Sequence, residues 1–196
     1  MPGKALVVLA HPAERSLGRM FAQTAHDQLS ASGLQATFLD LYEADFDPVL
    51  TSAERAAYYE TAPQIEAVGD QAELLAESET LVFVFPTWWF GMPAILKGWI
   101  DRVFAPGIAF DHASDFGPIK PRLTNLKKVV VITTLGSPAW IDWLIMRRPV
   151  RRILKTAVFG LCAPEATFCM LSLYRAENPD ARRIDRFRQK IIRAIA

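Results

Sequence analysis

The 196 residues carry 22 Lys and Arg against 21 Asp and Glu, a formal net charge of +1, and 51% of them are hydrophobic. That length has room for one α/β domain over residues 1–196 with a sizeable core, and the charge balance supplies no electrostatic footprint for DNA, RNA or an acidic polymer. Five Trp and twelve Phe point to rings lining a core or a flat-ligand pocket.

Residues 4–10 form a short apolar run, read as a first strand buried on both faces. It is too short for a signal peptide, so a soluble, cytoplasmic protein is expected. Ser16 can cap a helix whose apolar stripe is Leu17, Met20, Phe21, Ala25 and Leu29, ended by Ser32-Gly33. Residues 36–39 read as a second strand, finishing near Asp40. After a loop at 43–50, two helical stretches are expected near 51–60 and 63–77. Residues 80–85 are the clearest buried strand, and the loop 86–92 follows.

Pro93 suits the first turn of a helix that buries Ile95, Leu96, Trp99, Ile100, Val103 and Phe104. A loop of some twenty residues comes next, a length that often carries function. Residues 128–134 read as a fourth strand and 140–158 as helix, with Pro149 starting, ending or kinking it. Residues 166–170 read as a fifth strand. Asn178-Pro179 then opens a last helix with Ile184, Phe187, Ile191, Ile192 and Ile195 inward. Strands alternating with helices imply a doubly wound parallel sheet.

Ligands of such sheets bind beyond the carboxyl ends of the strands, which singles out the loops 11–16, 86–92 and 133–139. In the first, His11 and Ser16 precede the free N–H groups of Ser16, Leu17 and Gly18, and a helix N-terminus favours phosphate. The plainer reading is that Ser16 only caps and His11 only finishes a strand. The second, Pro86-Thr87-Trp88-Trp89-Phe90-Gly91, puts three successive aromatics where a planar tricyclic ring can pack, or else forms a hydrophobic loop under a lid or partner. The third, Thr133-Thr134-Leu135-Gly136-Ser137-Pro138, offers hydroxyl and N–H donors, or is an ordinary turn.

There is no GxGxxG, no P-loop and no G-x-S-x-G elbow, and the three histidines show no metal-ligand spacing, so no metal is expected. Cys162 and Cys169 lie in apolar sequence and read as buried, reduced thiols.

The run from Leu9-Ala10-His11 and Ser16, through Asp40-Leu41-Tyr42 and Phe46-Asp47-Pro48, to Phe85-Pro86 and Trp89-Phe90-Gly91 resembles a known family. So do Pro93-Ala94-Ile95-Leu96-Lys97-Gly98-Trp99, Asp101-Arg102-Val103-Phe104 and Ile132-Thr133-Thr134. The family is the flavodoxin-like NAD(P)H dehydrogenase (quinone) family of DT-diaphorase-like and bacterial NADPH:quinone reductases.

The resemblance covers residues 4–136. It implies a flavodoxin-like five-stranded sheet in the order 2-1-3-4-5, bound FAD or FMN, NADH or NADPH as reductant, and ping-pong hydride transfer to a quinone. By position it implies flavin phosphates near His11, Ser16, Leu17 and Gly18, and the ring beside Pro86, Thr87, Trp88, Trp89 and Phe90. Thr133, Thr134, Leu135 and Gly136 correspond to the pyrimidine end. Phe110, Asp111 and His112 correspond to a segment that covers the ring from the other subunit of a homodimer, and Trp140 is a candidate to lie over it. Leu135 stands where the family has Gly. Relatives also include azo- and nitro-reductases and a flavoprotein regulatory subunit of potassium-efflux systems, which stand as alternatives.

Residues 140–155 hold two Trp and five basic side chains. They fit an interfacial element touching anionic lipid, an ordinary helix burying Trp143, Leu144, Val150 and Leu154, or a site where Arg147 or Arg148 meets the 2′-phosphate of NADPH.

Overall fold

A computed structural model of the chain describes residues 2–59, 66–112 and 117–196. Strand β1 (Lys4–Leu9) leads through α1 (Leu17–Ala31) to β2 (Gln35–Asp40). Next come a one-turn α2 (Ser52–Ala56), α3 (Gly69–Glu77), β3 (Ser78–Pro86) and α4 (Ala94–Val103). A two-stranded antiparallel ribbon, β4 (Phe110–Asp111) with β5 (Lys120–Pro121), interrupts the expected long loop. The chain ends with β6 (Lys128–Thr134), a helical tract from Pro149 to Cys162, β7 (Thr167–Leu173) and the last helix.

The main sheet is parallel in every pairing and runs β2-β1-β3-β6-β7, the expected order once the ribbon is set aside. Alternation along each central strand sorts the side chains onto two faces. Leu6, Val8, Leu81, Phe83, Phe85, Val129 and Val131 join one cluster with Trp99 of α4 and Phe159. Val7, Leu9, Val82, Val84, Val130 and Ile132 join the other with Phe21 and Phe187. Phe83 sits at the centre of the first face, edge-on to Trp99 at 5.7 Å and 5.8 Å from Phe159. Burying a side chain of that size contributes about 1.5–3 kcal/mol.

Helix α1 starts at the expected cap, Ser16 Oγ accepting the Arg19 N–H at 3.1 Å, and Gly33 leaves it at φ 84°. Its buried stripe is Gly18, Phe21, Ala22, Thr24, Ala25 and Leu29; Met20, expected inward, is exposed because Phe21 takes the contact with Phe187 at 4.9 Å. Pro93 is the N-cap of α4 rather than a residue of its first turn. The last helix, Ala181–Ile195, is capped by Asp180, and it buries Phe187, Ile191 and Ile195 but only half-buries Ile184 and Ile192. Cys162 is buried, with its thiol pushed up to about 11 by burial, whereas Cys169 is half-buried on the edge strand. The expected helices near 51–60 and 63–77 are realised as α2 and α3, with residues 60 and 63–65 outside the described range.

The segment 140–158 departs furthest from expectation. Ile141–Ile145 is one wide π-helical turn, Arg147 and Arg148 both take left-handed φ of 57° and 52°, and Pro149 then starts a new helix. That helix runs as α5 (Pro149–Arg152), a second π stretch (Ile153–Val158) and α6 (Phe159–Cys162), and α7 is Ala181–Ile195. Val150 and Leu154 are buried as expected, but Trp143 and Leu144 are 54% and 72% exposed.

Candidate active site

The segment that follows β2 is positioned by packing on α4. A Cβ at Gly98 would stand 2.2 Å from the Pro48 carbonyl oxygen, so only glycine lets the loop after β2 lie on the helix. Arg102, 7% exposed, donates to the Asp47 carbonyl at 2.5 Å and to Glu54 at 2.7 and 2.9 Å. Burial alone would raise the Glu54 carboxyl, but the Thr51 N–H and the Arg102 guanidinium outweigh it and hold the group below its ordinary value. Trp99 Nε1 donates to Gln71 at 2.6 Å. These contacts give physical content to the Phe-Asp-Pro and Pro-Ala-Ile-Leu-Lys-Gly-Trp runs. They fasten the 47–54 segment and α3 to α4.

In the first loop, the His11 ring lies against the start of α1, where a Cβ at Gly18 would be 3.4 Å from His11 Cδ2. The Ala13 N–H donates to His11 Nδ1 at 3.0 Å, so the neutral ring carries its proton on Nε2. Burial pushes the imidazole below its ordinary value, which favours the neutral ring. The N–H groups of Leu17 and Gly18 have no acceptor within the helix, as helix geometry requires. Arg19, one residue further on, pairs with the buried Asp40 and with Glu43, and Asp40 also accepts the Tyr42 N–H at 2.9 Å. The first strand end and the second are thereby tied together.

The second loop is the sharpest feature. Trp88 and Gly91 exchange two backbone hydrogen bonds, at 2.8 and 3.1 Å, around central residues Trp89 and Phe90 with φ of 50° and 56°. This is the pattern of a two-residue type I′ hairpin, which glycine and asparagine normally occupy. Holding two bulky L-residues there costs about 1–3 kcal/mol each. Trp89 is 100% exposed and Trp88 45%. The tip therefore displays rings at the price of both strain and exposure.

The third loop is cross-linked to the second. Thr87 N–H donates to the Thr134 carbonyl at 2.8 Å, and the Thr87 and Thr133 hydroxyls share a 2.6 Å hydrogen bond. Pro86 pairs with Thr134 in register. Leu135 is 5% exposed, its N–H given to Leu173 and its carbonyl taken by Ala176, so neither its side chain nor its backbone is free for a ligand. Glu177 leans over Gly136, where a Cβ would meet its Oε1 at 2.8 Å. Ser137 Oγ is buried and, among the described residues, has no hydrogen-bond partner. A buried hydroxyl without a partner is costly, and it marks a donor or acceptor available to a bound group. Nothing in the sequence separates Ser137 from an ordinary turn hydroxyl.

Phe110 and His112 form an aromatic cluster with Tyr58, their ring centroids 5.3 Å apart, and Asp111 pairs with Arg122 at 3.0 Å. Phe110 also lines a cavity with Ile100, Phe104, Leu161 and Cys162, beside α4. The structure thus brings the three loops together at one edge and gathers the Phe110–His112 segment on the α4 side. Trp140 is 55% exposed just beyond the third loop. Among the described residues no cluster of His, Cys, Asp or Glu could hold a metal ion, and no helix is long and apolar enough to cross a membrane.

A family model described as a flavodoxin-like fold matches residues 3–192. The guinea-pig NAD(P)H dehydrogenase [quinone] 1 is 34% identical over 152 residues, which are 68% of this chain and 54% of that protein. An uncharacterized NAD(P)H oxidoreductase of Escherichia coli, YcaK, is 39% identical over 120 residues, 58% of this chain and 60% of that one. The chain thus spans just over half the length of these relatives. The structure of NAD(P)H:quinone oxidoreductase from Methanothermobacter marburgensis superposes with a TM-score of 0.82 over 100% of this chain and 95% of that one, at 23% identity, a likeness of fold. The matched model runs through all five strands of the parallel sheet and all three loops at its edge, and the chain belongs to the flavodoxin-like fold family.

Proposed function

We propose that the protein is a flavin-dependent NAD(P)H oxidoreductase that reduces quinones or similar acceptors by two electrons. The observation that carries this reading is the strained Trp88-Trp89-Phe90 turn, which displays Trp88 and Trp89. It stands at the carboxyl end of β3, next to a capped helix N-terminus on one side and a partnerless buried hydroxyl on the other. The donor set suits a flavin phosphate and ring.

In this reading Ser16 and the N–H groups of Leu17 and Gly18 hold phosphate, helped by the helix dipole, and His11 offers its Nε2–H. Pro86, Thr87, Trp88, Trp89 and Phe90 wall the ring and keep water from it. Thr134, Gly136 and Ser137 provide the polar end, where fixed donors favour the negative charge of a reduced ring, and Thr133, fully buried, acts through its hydrogen bond to Thr87. Leu135 acts from behind, by packing the loop onto the core. Bound flavin supplies the hydride chemistry, accepting from NAD(P)H and giving to the acceptor. Phe110, Asp111, His112 and Trp140 act as the acceptor-side cover, the first three from the second subunit of a homodimer.

The test is to incubate the purified protein with FAD or FMN, desalt it, and record its absorbance before and after NADH or NADPH without oxygen. Retained flavin should bleach with the reductant and recover on addition of a quinone. The retained species identifies the cofactor, and recovery with an azo dye but not a quinone would reassign the acceptor. Failure to retain either flavin overturns the proposal.

A further inference from the structure

Between the third loop and α5 the chain presents an apolar cap that the fold does not cover. Trp140, Trp143, Leu144 and Ile145 are 55%, 54%, 72% and 64% exposed. The cap is built rather than loose. Trp143 Nε1 donates to Tyr174 Oη at 2.8 Å, and that hydroxyl donates to Asp142 at 2.7 Å. The Arg148 guanidinium lies 4.6 Å from the centre of the Trp143 ring, and the Arg148 N–H donates to the Asp142 carbonyl at 2.8 Å. Burial and the Asp142 carboxylate raise the Tyr174 phenol above its ordinary value, so the hydroxyl stays a donor. The network holds the indole half in solvent with its polar edge satisfied.

Five basic side chains follow in nine residues: Arg147, Arg148, Arg151, Arg152 and Lys155. Among the described residues none of the five has an acidic partner. The one carboxylate within 140–155, Asp142, is 6% exposed and engaged by Tyr174. A second copy laid on this patch about a two-fold axis would set like charges face to face. An anionic surface would instead pair with them, while an apolar cap bearing indoles suits the headgroup boundary of a bilayer.

We propose that residues 140–155 dock the protein on an anionic lipid surface, with Trp143, Leu144 and Ile145 entering the headgroup region, the five cations pairing with lipid phosphates, and Trp140 left at the crevice. The geometry aims the docking. Trp143 is tied to Tyr174, directly after β7, and the aromatic turn at 88–91 directly follows β3. Both therefore lie at the carboxyl edge of one parallel sheet. Resting on the reductase reading, this places the crevice toward acceptors dissolved in the bilayer.

The test is cosedimentation of the full chain with vesicles of phosphatidylcholine alone or containing phosphatidylglycerol, without reductant, so that its outcome is separate from the flavin test. Binding should require phosphatidylglycerol and weaken with salt. The pair Arg151→Gln with Arg152→Gln should weaken it on the order of twentyfold, and Leu144→Ser with Ile145→Ser roughly tenfold. Circular dichroism should show both variants folded; the Arg pair is the control should the Leu-Ile pair fail. Absent binding, equal binding to both vesicle types, or binding indifferent to both folded pairs overturns the proposal. A change of oligomeric mass in Leu144→Ser with Ile145→Ser, without vesicle binding by the parent, assigns the patch to a second copy and also overturns it.

Discussion

Residues 86–92 and 94–103 are neighbours in sequence and opposites in energetics. In α4 every distinctive residue is satisfied: Gly98 makes room for Pro48, Trp99 finds Gln71, and Arg102 finds Glu54 and Asp47. In the preceding turn Trp89 and Phe90 are held in a backbone region that bulky residues avoid, and Trp89 buries nothing. The helix supplies the stability that the turn consumes. Strain persists only where surrounding structure over-determines it, and here the pairing of β3 with β6 and the Trp88–Gly91 hydrogen bonds do so.

Substitutions in the two halves should therefore move stability in opposite directions. The largest effect is expected at Arg102→Ala, which strands a nearly buried Glu54 carboxylate; urea denaturation should show a loss of about 3–5 kcal/mol. Gly98→Ala should lose about 1–3 kcal/mol, because its Cβ meets backbone rather than a movable side chain. Trp89→Gly should instead gain about 1 kcal/mol by relieving the left-handed backbone, while weakening flavin retention about tenfold in a fluorescence titration. A loss of stability there would break the contrast.

The smallest effect is a pH dependence. The Glu54 carboxyl sits below its ordinary value of 4.5 in the folded state, so below that value the unfolded chain binds more protons. Its contribution is complete above the ordinary value and is lost as pH falls through it toward the folded value. The stability gap between the parent and Glu54→Gln should narrow over that window; a gap independent of pH would remove the Arg102 pair from the account.

The five parallel strands were legible because buried β-branched runs alternate with helical stripes, and residues 128–134 matched to the residue. The helix start at Ser16 was legible from one hydroxyl before an apolar period. What escaped depends on partners distant in sequence. Arg102 is legible only as part of a matching helix motif, and its role appears once Asp47 and Glu54 are seen beside it. Leu135 reads as a loop residue in a ligand position, yet Leu173 and Ala176 take its backbone and turn it inward. Pro149 announces a start, end or kink within 140–158, but the two left-handed backbones at Arg147-Arg148 that carry the break are announced by no glycine. Ser137 is a hydroxyl among several, distinguished only by what it lacks around it.

The placement of indoles has a practical consequence. Trp99 is fully enclosed, while Trp88, Trp89, Trp140 and Trp143 are all at least 45% exposed at one edge of the sheet. The intrinsic fluorescence of the molecule is thus weighted toward the edge where ligands are expected, with Trp99 as a shielded internal reference. Arrival of any ligand or surface there should alter emission colour and quencher access without a label, and graded replacement of the four exposed indoles would show which loop it reached.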